Sequence, residues 1–280
     1  MEKKSVLSRP LVMIILAFFC QGLWGIVFPV IKKGYELFSI SGPGSTLLFA
    51  AIRFMVAGVL LLAVDTVVEK RFPVLKRKEY GSVLFLGSIQ TGLAYALQYI
   101  AMIRAASINC SILNGTGVIF STIFAHLLFP DDRLTLKKAV GAIVGFMGVL
   151  VCFLWGGKGE SFTFFGEGLE LISIITFVFG SNISRLITKD IKPVVASGYN
   201  LLIGGFELFV LGLILGGRIG WGGFYCLLCL VFLSLTSSLF LYLFINIRFI
   251  RVRVIYYANF VYTPIANFVY TPIANFVYTY

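Results

Sequence analysis

Residues 45–66 read STLLFAAIRFMVAGVLLLAVDT, and this stretch decides the class of fold. Its only charged residues are Arg53, near the middle, and Asp65, at the end. A run of roughly 20 apolar residues crosses the ~30 Å hydrocarbon core of a bilayer as a helix. The stretch therefore predicts a transmembrane helix that carries one arginine near its centre.

Seven further runs of similar length and composition accompany it along the chain. We place the eight predicted spans at residues 11–31, 45–66, 79–102, 105–129, 136–155, 167–188, 194–216 and 223–244. A ninth is expected to start near Val252. The sequence thus predicts an all-α, polytopic membrane protein with about nine spans and no sizeable soluble domain.

Composition agrees with this class. The chain has 280 residues, of which 59% are hydrophobic and 12% charged, whereas soluble domains have about 45–50% apolar and about 25% charged residues. The net charge of +11 would suggest nucleic acid in a soluble protein. Here the basic residues cluster at helix ends, so we expect a lipid bilayer and no nucleic acid as partner.

The distribution of Lys and Arg predicts the orientation. With a cytoplasmic N-terminus, 17 of these residues fall in inside segments and 5 in outside loops. Positive residues favour the cytoplasmic side. The first apolar run reaches Ile31, beyond the about 7–15-residue core of a signal peptide. We therefore expect an uncleaved first helix, a cytoplasmic N-terminus and a multi-pass protein of the plasma membrane.

The sequence contains a faint internal repeat. Residues 23–25 (Leu-Trp-Gly) compare with 178–180 (Val-Phe-Gly), and residues 57–61 with 211–215, at offsets of 155 and 154. Five spans separate the halves, so the second half would enter the membrane from the opposite side. Inverted repeats of this kind are common in transporters, which bind substrate at the repeat interface.

The last residues repeat a short unit. An octapeptide is nearly tripled over residues 257–280, and Pro264 and Pro272 end its first two copies. Proline removes a helix hydrogen bond. Two alternatives stay open for this tail: a kinked, partly inserted ninth helix, or a damaged or mis-assembled gene end.

Several short patterns together resemble those of EamA-type members of the drug/metabolite transporter superfamily. They are Trp24-Gly25-x-x-Phe28-Pro29, Arg53-Phe54, Gln98-Tyr99-x-Ala101, Gly141-x-x-x-Gly145-x-x-Gly148, Gly166-Glu167-Gly168, Ser197-Gly198-Tyr199-Asn200, Gly204-Gly205 and Asn259-Phe260-x-x-x-Pro264. The resemblance implies two inverted five-helix repeats that export small metabolites such as amino acids. It assigns residues 1–156 to the first repeat and 157–280 to an incomplete second one, with the tenth span missing.

Arg53 and Glu207 are the strongest candidates for a substrate site. Ionisable groups at span centres are costly and rare, at about 2.5–3.5 kcal/mol each. The repeat offset of 154 makes the two residues equivalents. We expect Arg53 to hold a substrate carboxylate through its planar fork and Glu207 to meet an amine or a proton. The alternatives are a structural pair with a helix-end carbonyl or an acid for Arg53, and snorkelling or a helix–helix hydrogen bond for Glu207.

Other candidates are polar or helix-bending residues of the first four spans. Trp24 and Pro29 are expected to shape the cavity wall, because a proline frees a carbonyl one turn back. Tyr95 and Gln98 give span three a polar face, and Asn114 does the same for span four. Such groups line an aqueous path or bond to neighbouring helices.

We therefore interpret the chain as a transporter that exports a small organic metabolite, an amino acid or a related compound, by alternating access. The resemblance implies proton coupling or facilitated diffusion. Without a P-loop, and with five cysteines at no metal-ligand spacing, we expect no cofactor or metal. A homodimer would form through the Gly-rich fifth span. The alternatives are a non-transporting remnant or an intramembrane enzyme; the lack of clustered His, Asp or Cys argues against an enzyme.

Overall fold

The computed structural model describes residues 10–130, 134–156, 162–187, 190–220 and 223–250, and this part of the chain is helical, without β-strands. Its α-helices are α1 (Pro10–Leu37), α2 (Pro43–Glu69), α3 (Tyr80–Leu86), α4 (Ala94–Arg104), α5 (Ser107–Asn114), α6 (Gly117–Leu128), α7 (Leu136–Gly156), α8 (Leu169–Ile187), α9 (Pro193–Ile214) and α10 (Phe224–Ile250). The prediction of an all-α fold is confirmed.

Each of the eight predicted spans coincides with a helical segment. Five segments have the length and apolar composition to cross a membrane: Pro43–Glu69, Arg77–Arg104, Ser107–Leu128, Phe164–Ser184 and Pro193–Ile214. Helices α1, α7 and α10 are 28, 21 and 27 residues long, which suffices for a bilayer core of about 30 Å. The predicted ninth span and the repeated tail lie outside the described residues.

Helix boundaries follow local chemistry. Proline occupies the first position of α2 and of α9 (Pro43 and Pro193), where its missing N–H costs no hydrogen bond and its fixed φ suits a helix. Helix α2 ends at Lys70, whose φ of 53° is left-handed. A residue in this conformation commonly terminates a helix.

Two predicted spans are not regular α-helices. In the third, a 3₁₀ turn (Arg77–Glu79), α3, a π-helix (Gly87–Leu93) and α4 follow one another directly. In the fourth, α5 ends at Asn114, and the N–H groups of Gly115 and Thr116 bond to carbonyls three residues back before α6 begins. Short π-helices are rare and are frequently found at functional sites.

Helices α2 and α9 form the central contact of the bundle through small residues spaced by seven. A Cβ added to Gly58 would lie 2.8 Å from the Gly198 carbonyl oxygen, and one added to Gly205 3.3 Å from that of Ala51. At the far end, a Cβ on Gly212 would lie 3.0 Å from the Gly44 oxygen. We call these pairs, 44–212, 51–205 and 58–198, the glycine seam. Small residues let membrane helices approach closely.

The seam relates to the internal repeat. Its pairs show that α2 and α9 run antiparallel: as the residue number rises by seven along α2, the number of the partner on α9 falls by seven. The middle pair, Ala51 and Gly205, is separated by 154 residues, which is the repeat offset. Two positions that the predicted repeat would make equivalent therefore meet at the centre of this contact.

The exterior of the bundle is apolar, as a lipid-facing surface requires. Val59, Ile143, Val144 and Leu213 are among its exposed large side chains. Nothing lies within 4 Å of a Cβ built on Gly145 in the fifth predicted span. On α7 this position faces outward, away from the other described helices.

Candidate functional site

Arg53 lies buried between α2, α4 and α10. Its side chain is 1% exposed. Nη1 donates to the Tyr99 hydroxyl on α4 at 2.6 Å, and Nη2 donates to the Ser237 hydroxyl on α10 at 2.8 Å. The two arms of the guanidinium fork thus join α2 to two other helices.

Aromatic rings surround the same guanidinium. Its Cζ lies 4.5 Å from the centroid of Phe54 and 5.7 Å from that of Tyr99. Tyr95 packs against the Phe54 ring, with the two ring centroids 4.3 Å apart and the ring planes tilted by 47°. Arginine over an aromatic face is stabilised by the ring's quadrupole, which compensates part of the cost of burying a cation.

No described carboxylate forms an ion pair with Arg53. Its Nε is buried and has no hydrogen-bond partner. Buried charges are normally paired because desolvation is costly. Among the described residues, the Arg53 guanidinium is therefore held by neutral hydroxyls and aromatic rings and has no acidic partner.

Serines of α10 fasten that helix to α2. The Ser234 hydroxyl donates to the Arg53 carbonyl at 3.2 Å, and the Ser238 hydroxyl donates to the Ala57 carbonyl at 3.0 Å. Interhelical hydrogen bonds of this kind hold membrane helices together. They fix the backbone on which Arg53 is mounted.

Helix α8 brings a buried acid to the other side of α4. Glu170 is 0% exposed, and its Oε1 accepts from the Gln98 side-chain amide at 3.3 Å. The Ser173 hydroxyl, about one turn further along α8, donates to the Ala94 carbonyl at 2.8 Å. Gln98 thus faces the acid, whereas the next residue, Tyr99, faces Arg53.

Glu167, one turn before Glu170, is fully bonded. It lies in a second π-helix (Phe164–Gly168) that leads into α8. One carboxylate oxygen accepts from the Thr163 N–H and hydroxyl at 3.0 and 2.9 Å, and the other accepts from the Asn109 amide at 3.0 Å. These hydrogen bonds stabilise the N-terminal end of the helical segment, which gives Glu167 a structural role.

A second polar cluster lies where the π-helix Gly87–Leu93 packs against α9. Glu207 accepts from the Ser88 hydroxyl. Asn200, two turns earlier on the same face of α9, accepts from the Thr91 hydroxyl at 2.7 Å and donates to the Gln90 side-chain oxygen at 2.8 Å. The side chains of three residues in this π-helix therefore bond to one face of α9.

Comparison with known proteins identifies the family. Residues 9–154, just over half of the chain, match the profile of the EamA-like transporter family. The chain belongs to this family. It is similar to an uncharacterized transporter of Archaeoglobus fulgidus, 25% identical over 186 residues that cover 66% of this chain and 62% of the relative.

A further relative is a chloroplastic WAT1-related protein of Arabidopsis thaliana. It is 25% identical over 199 residues, which cover 68% of this chain and 45% of the relative. The chain thus matches about half of the length of these two proteins. The resemblance inferred from the sequence is confirmed, and a multi-pass membrane protein of a transporter family follows from it, which points away from an enzyme.

The structure brings together three of the seven predicted site residues of this EamA-like chain. Arg53, Tyr95 and Gln98 are buried around α4. Glu207 is not part of that group, because α9 directs its carboxylate to Ser88 in the π-helix. The interpretation of Arg53 as a cation paired with an acid is not supported by any ion pair in the described part of the chain.

The other three predicted residues are placed elsewhere. Pro29 lies inside α1 and is buried. Asn114 is the last residue of α5 and is half-buried beside the break between α5 and α6. Trp24 is in α1, but its side chain is outside the described part of the structure.

The sequence analysis did not identify three residues of the buried polar clusters: Glu170, Ser237 and Asn200. Glu170 stands only three residues into the predicted span 167–188, where an acid is typical of a membrane interface. In the structure the membrane-length segment begins at Phe164, which moves Glu170 inward. Ser237 and Asn200 are polar residues in apolar runs. The role of such a residue can be inferred only when its hydrogen-bond partners on distant helices are known.

Proposed function

We propose that this EamA-like protein is a secondary transporter that exports a small organic metabolite bearing a carboxylate, an amino acid or a related compound. The observation that carries the proposal is the buried Arg53, held by Tyr99, Ser237 and Phe54 with no acid among its described partners. An incoming carboxylate would complete this site through charge-assisted hydrogen bonds.

Alternating access between two inverted halves is the proposed mechanism. The antiparallel glycine seam supports it, since equivalent positions of the repeat, Ala51 and Gly205, meet at its centre. Closely apposed small residues let the backbones of the two helices pack tightly along this seam. In this scheme α2 and α9 form the pivot, and Arg53 and Glu207 face separate polar clusters on either side of it.

Membrane placement follows the charge distribution. We propose a cytoplasmic N-terminus in the plasma membrane, because 17 basic residues would lie inside and 5 outside. A homodimer through α7 also stays a prediction; the outward position of Gly145 and the exposed Val144 leave that face available.

Metabolite profiling of the medium from overproducing cells tests the function. We expect one carboxylate-bearing metabolite to accumulate outside cells with the wild-type protein and to fall towards background with Arg53→Ala. Glu207→Gln should reduce accumulation less, since glutamine can still accept from Ser88. Arg104→Ala is the control: Arg104 is exposed and lies 5.6 Å from the Phe165 ring, outside the Arg53 site. Wild-type export from both Arg53→Ala and Glu207→Gln would refute the proposal.

A further inference from the structure

Among the described residues, Glu170 is the more deeply buried of two acids, Glu79 and Glu170, that each have one carboxylate oxygen without a hydrogen-bond partner. Its exposed fraction is 0%, its Oε1 has a single donor, the Gln98 amide, and its Oε2 has no hydrogen-bond partner. The neighbouring carboxylate of Glu167, by contrast, accepts three hydrogen bonds. The ionised form of a carboxylate in this setting carries a high desolvation free energy.

Among the described residues, Glu170 has no ion-pair partner. Helix α1 presents Tyr35, α4 presents Tyr95 and α5 presents Cys110, each within electrostatic range of the Glu170 carboxylate. Lys32 of α1 and Glu167 act on Cys110. The Gln98 amide is the one hydrogen-bond donor to Glu170 among the described residues.

Helix α4 links this acid to the proposed substrate site. Gln98 bonds to Glu170, and the adjacent Tyr99 bonds to Arg53. Tyr95 lies within electrostatic range of both Arg53 and Glu170 and packs against Phe54. A change of charge at Glu170 would thus act on the segment of α4 that orients the Arg53 guanidinium.

We propose that Glu170 is the proton-carrying residue of the transport cycle. Its carboxylate takes up one proton from the aqueous phase on one side of the membrane, forming an O–H bond at Oε2. It releases that proton to the other side once the bundle has changed its orientation. No bond to the substrate is made or broken. This inference rests on the proposed transport function but concerns a residue to which that function assigns nothing.

Infrared difference spectroscopy of the full-length protein in lipid tests proton binding without any substrate. A pH step should reveal the carbonyl stretch of a protonated buried carboxyl group, present in the wild type and lost in Glu170→Gln. Glu167→Gln is the matched control, three residues away on the same segment, and should keep the band. An absent band in the wild type, or a band that survives Glu170→Gln, would overturn the proposal.

Proteoliposome transport of the metabolite found by profiling separates coupling from transport itself. Glu170→Gln should lose accumulation driven by a pH gradient while keeping substrate counterflow, which needs no proton. Glu170→Asp, which retains the acid, should recover part of the gradient-driven accumulation. If the wild type shows no counterflow, the transport function fails. If the wild type is gradient-driven and Glu170→Gln is equally so, only the inference on Glu170 fails.

Discussion

Tyr99 orients Arg53 through its hydroxyl group, and a substitution that removes only this hydroxyl tests the contribution of that hydrogen bond. Tyr99→Phe keeps the ring against Arg53 but removes the oxygen that accepts from Nη1 at 2.6 Å. Buried hydrogen bonds to charged groups contribute about 1.5–3 kcal/mol, and 1.4 kcal/mol is about tenfold in affinity. We therefore expect the apparent KM for the metabolite to rise roughly tenfold, measured as initial rates in proteoliposomes.

The control for this change is Tyr225→Phe, which removes the hydroxyl of an exposed tyrosine at the start of α10. Its apparent KM should match that of the wild type. An unchanged KM in Tyr99→Phe would show that the hydroxyl does not orient the substrate-binding group.

At the scale of elements, the glycine seam should tolerate no larger side chain. A Cβ on Gly205 would lie 2.9 Å from the Met55 side chain and 3.1 Å from the Met55 backbone nitrogen. Because backbone cannot move aside, Gly205→Val should destabilise the protein by about 1–3 kcal/mol through overpacking. Thermal unfolding in detergent would report this as a lower Tm, whereas Gly145→Val on α7, where the space is open, should leave Tm nearly unchanged.

The contact between the π-helix and α9 makes a second element-scale prediction. A Cβ on Gly92 would collide with a carboxylate oxygen of Glu207. Gly92→Ala should therefore displace Glu207 from Ser88 and reduce transport. Gly81→Ala, in α3 with nothing within 4 Å of the added carbon, should behave as the wild type. Equal transport by both variants would exclude a role for this contact.

How far the sequence predicts these features depends on the kind of signal. Apolar length is a local property, so the all-α fold was predicted correctly, whereas the role of Arg53 stays a prediction. The π-helix Gly87–Leu93 and the break at Gly115 depend on packing between helices. The hydropathy pattern of the sequence does not report that packing. Glu170 was missed because its depth is set by where the helix begins, and the π-helix Phe164–Gly168 starts it earlier than the charge pattern suggests.

For the whole molecule, the predicted orientation places the loop after α1 outside and the loop after α2 inside. In a background without the native cysteines, Ser41→Cys and Arg71→Cys introduce exposed thiols into these two loops. An impermeant maleimide should label residue 41 in intact cells and residue 71 only after permeabilisation. The opposite labelling pattern would reverse the topology derived from the positive-inside rule.

The central claim is that Arg53 binds the carboxylate of the transported metabolite, and a double cycle tests it most directly. Counterflow would be measured for wild type and Arg53→Lys, each with the metabolite and with an analogue in which an amide replaces the carboxylate. If the two groups contact each other, either change alone should reduce transport about tenfold or more, and both together should reduce it no further. Reductions that multiply, or Arg53→Lys transport at the wild-type rate, would contradict the account.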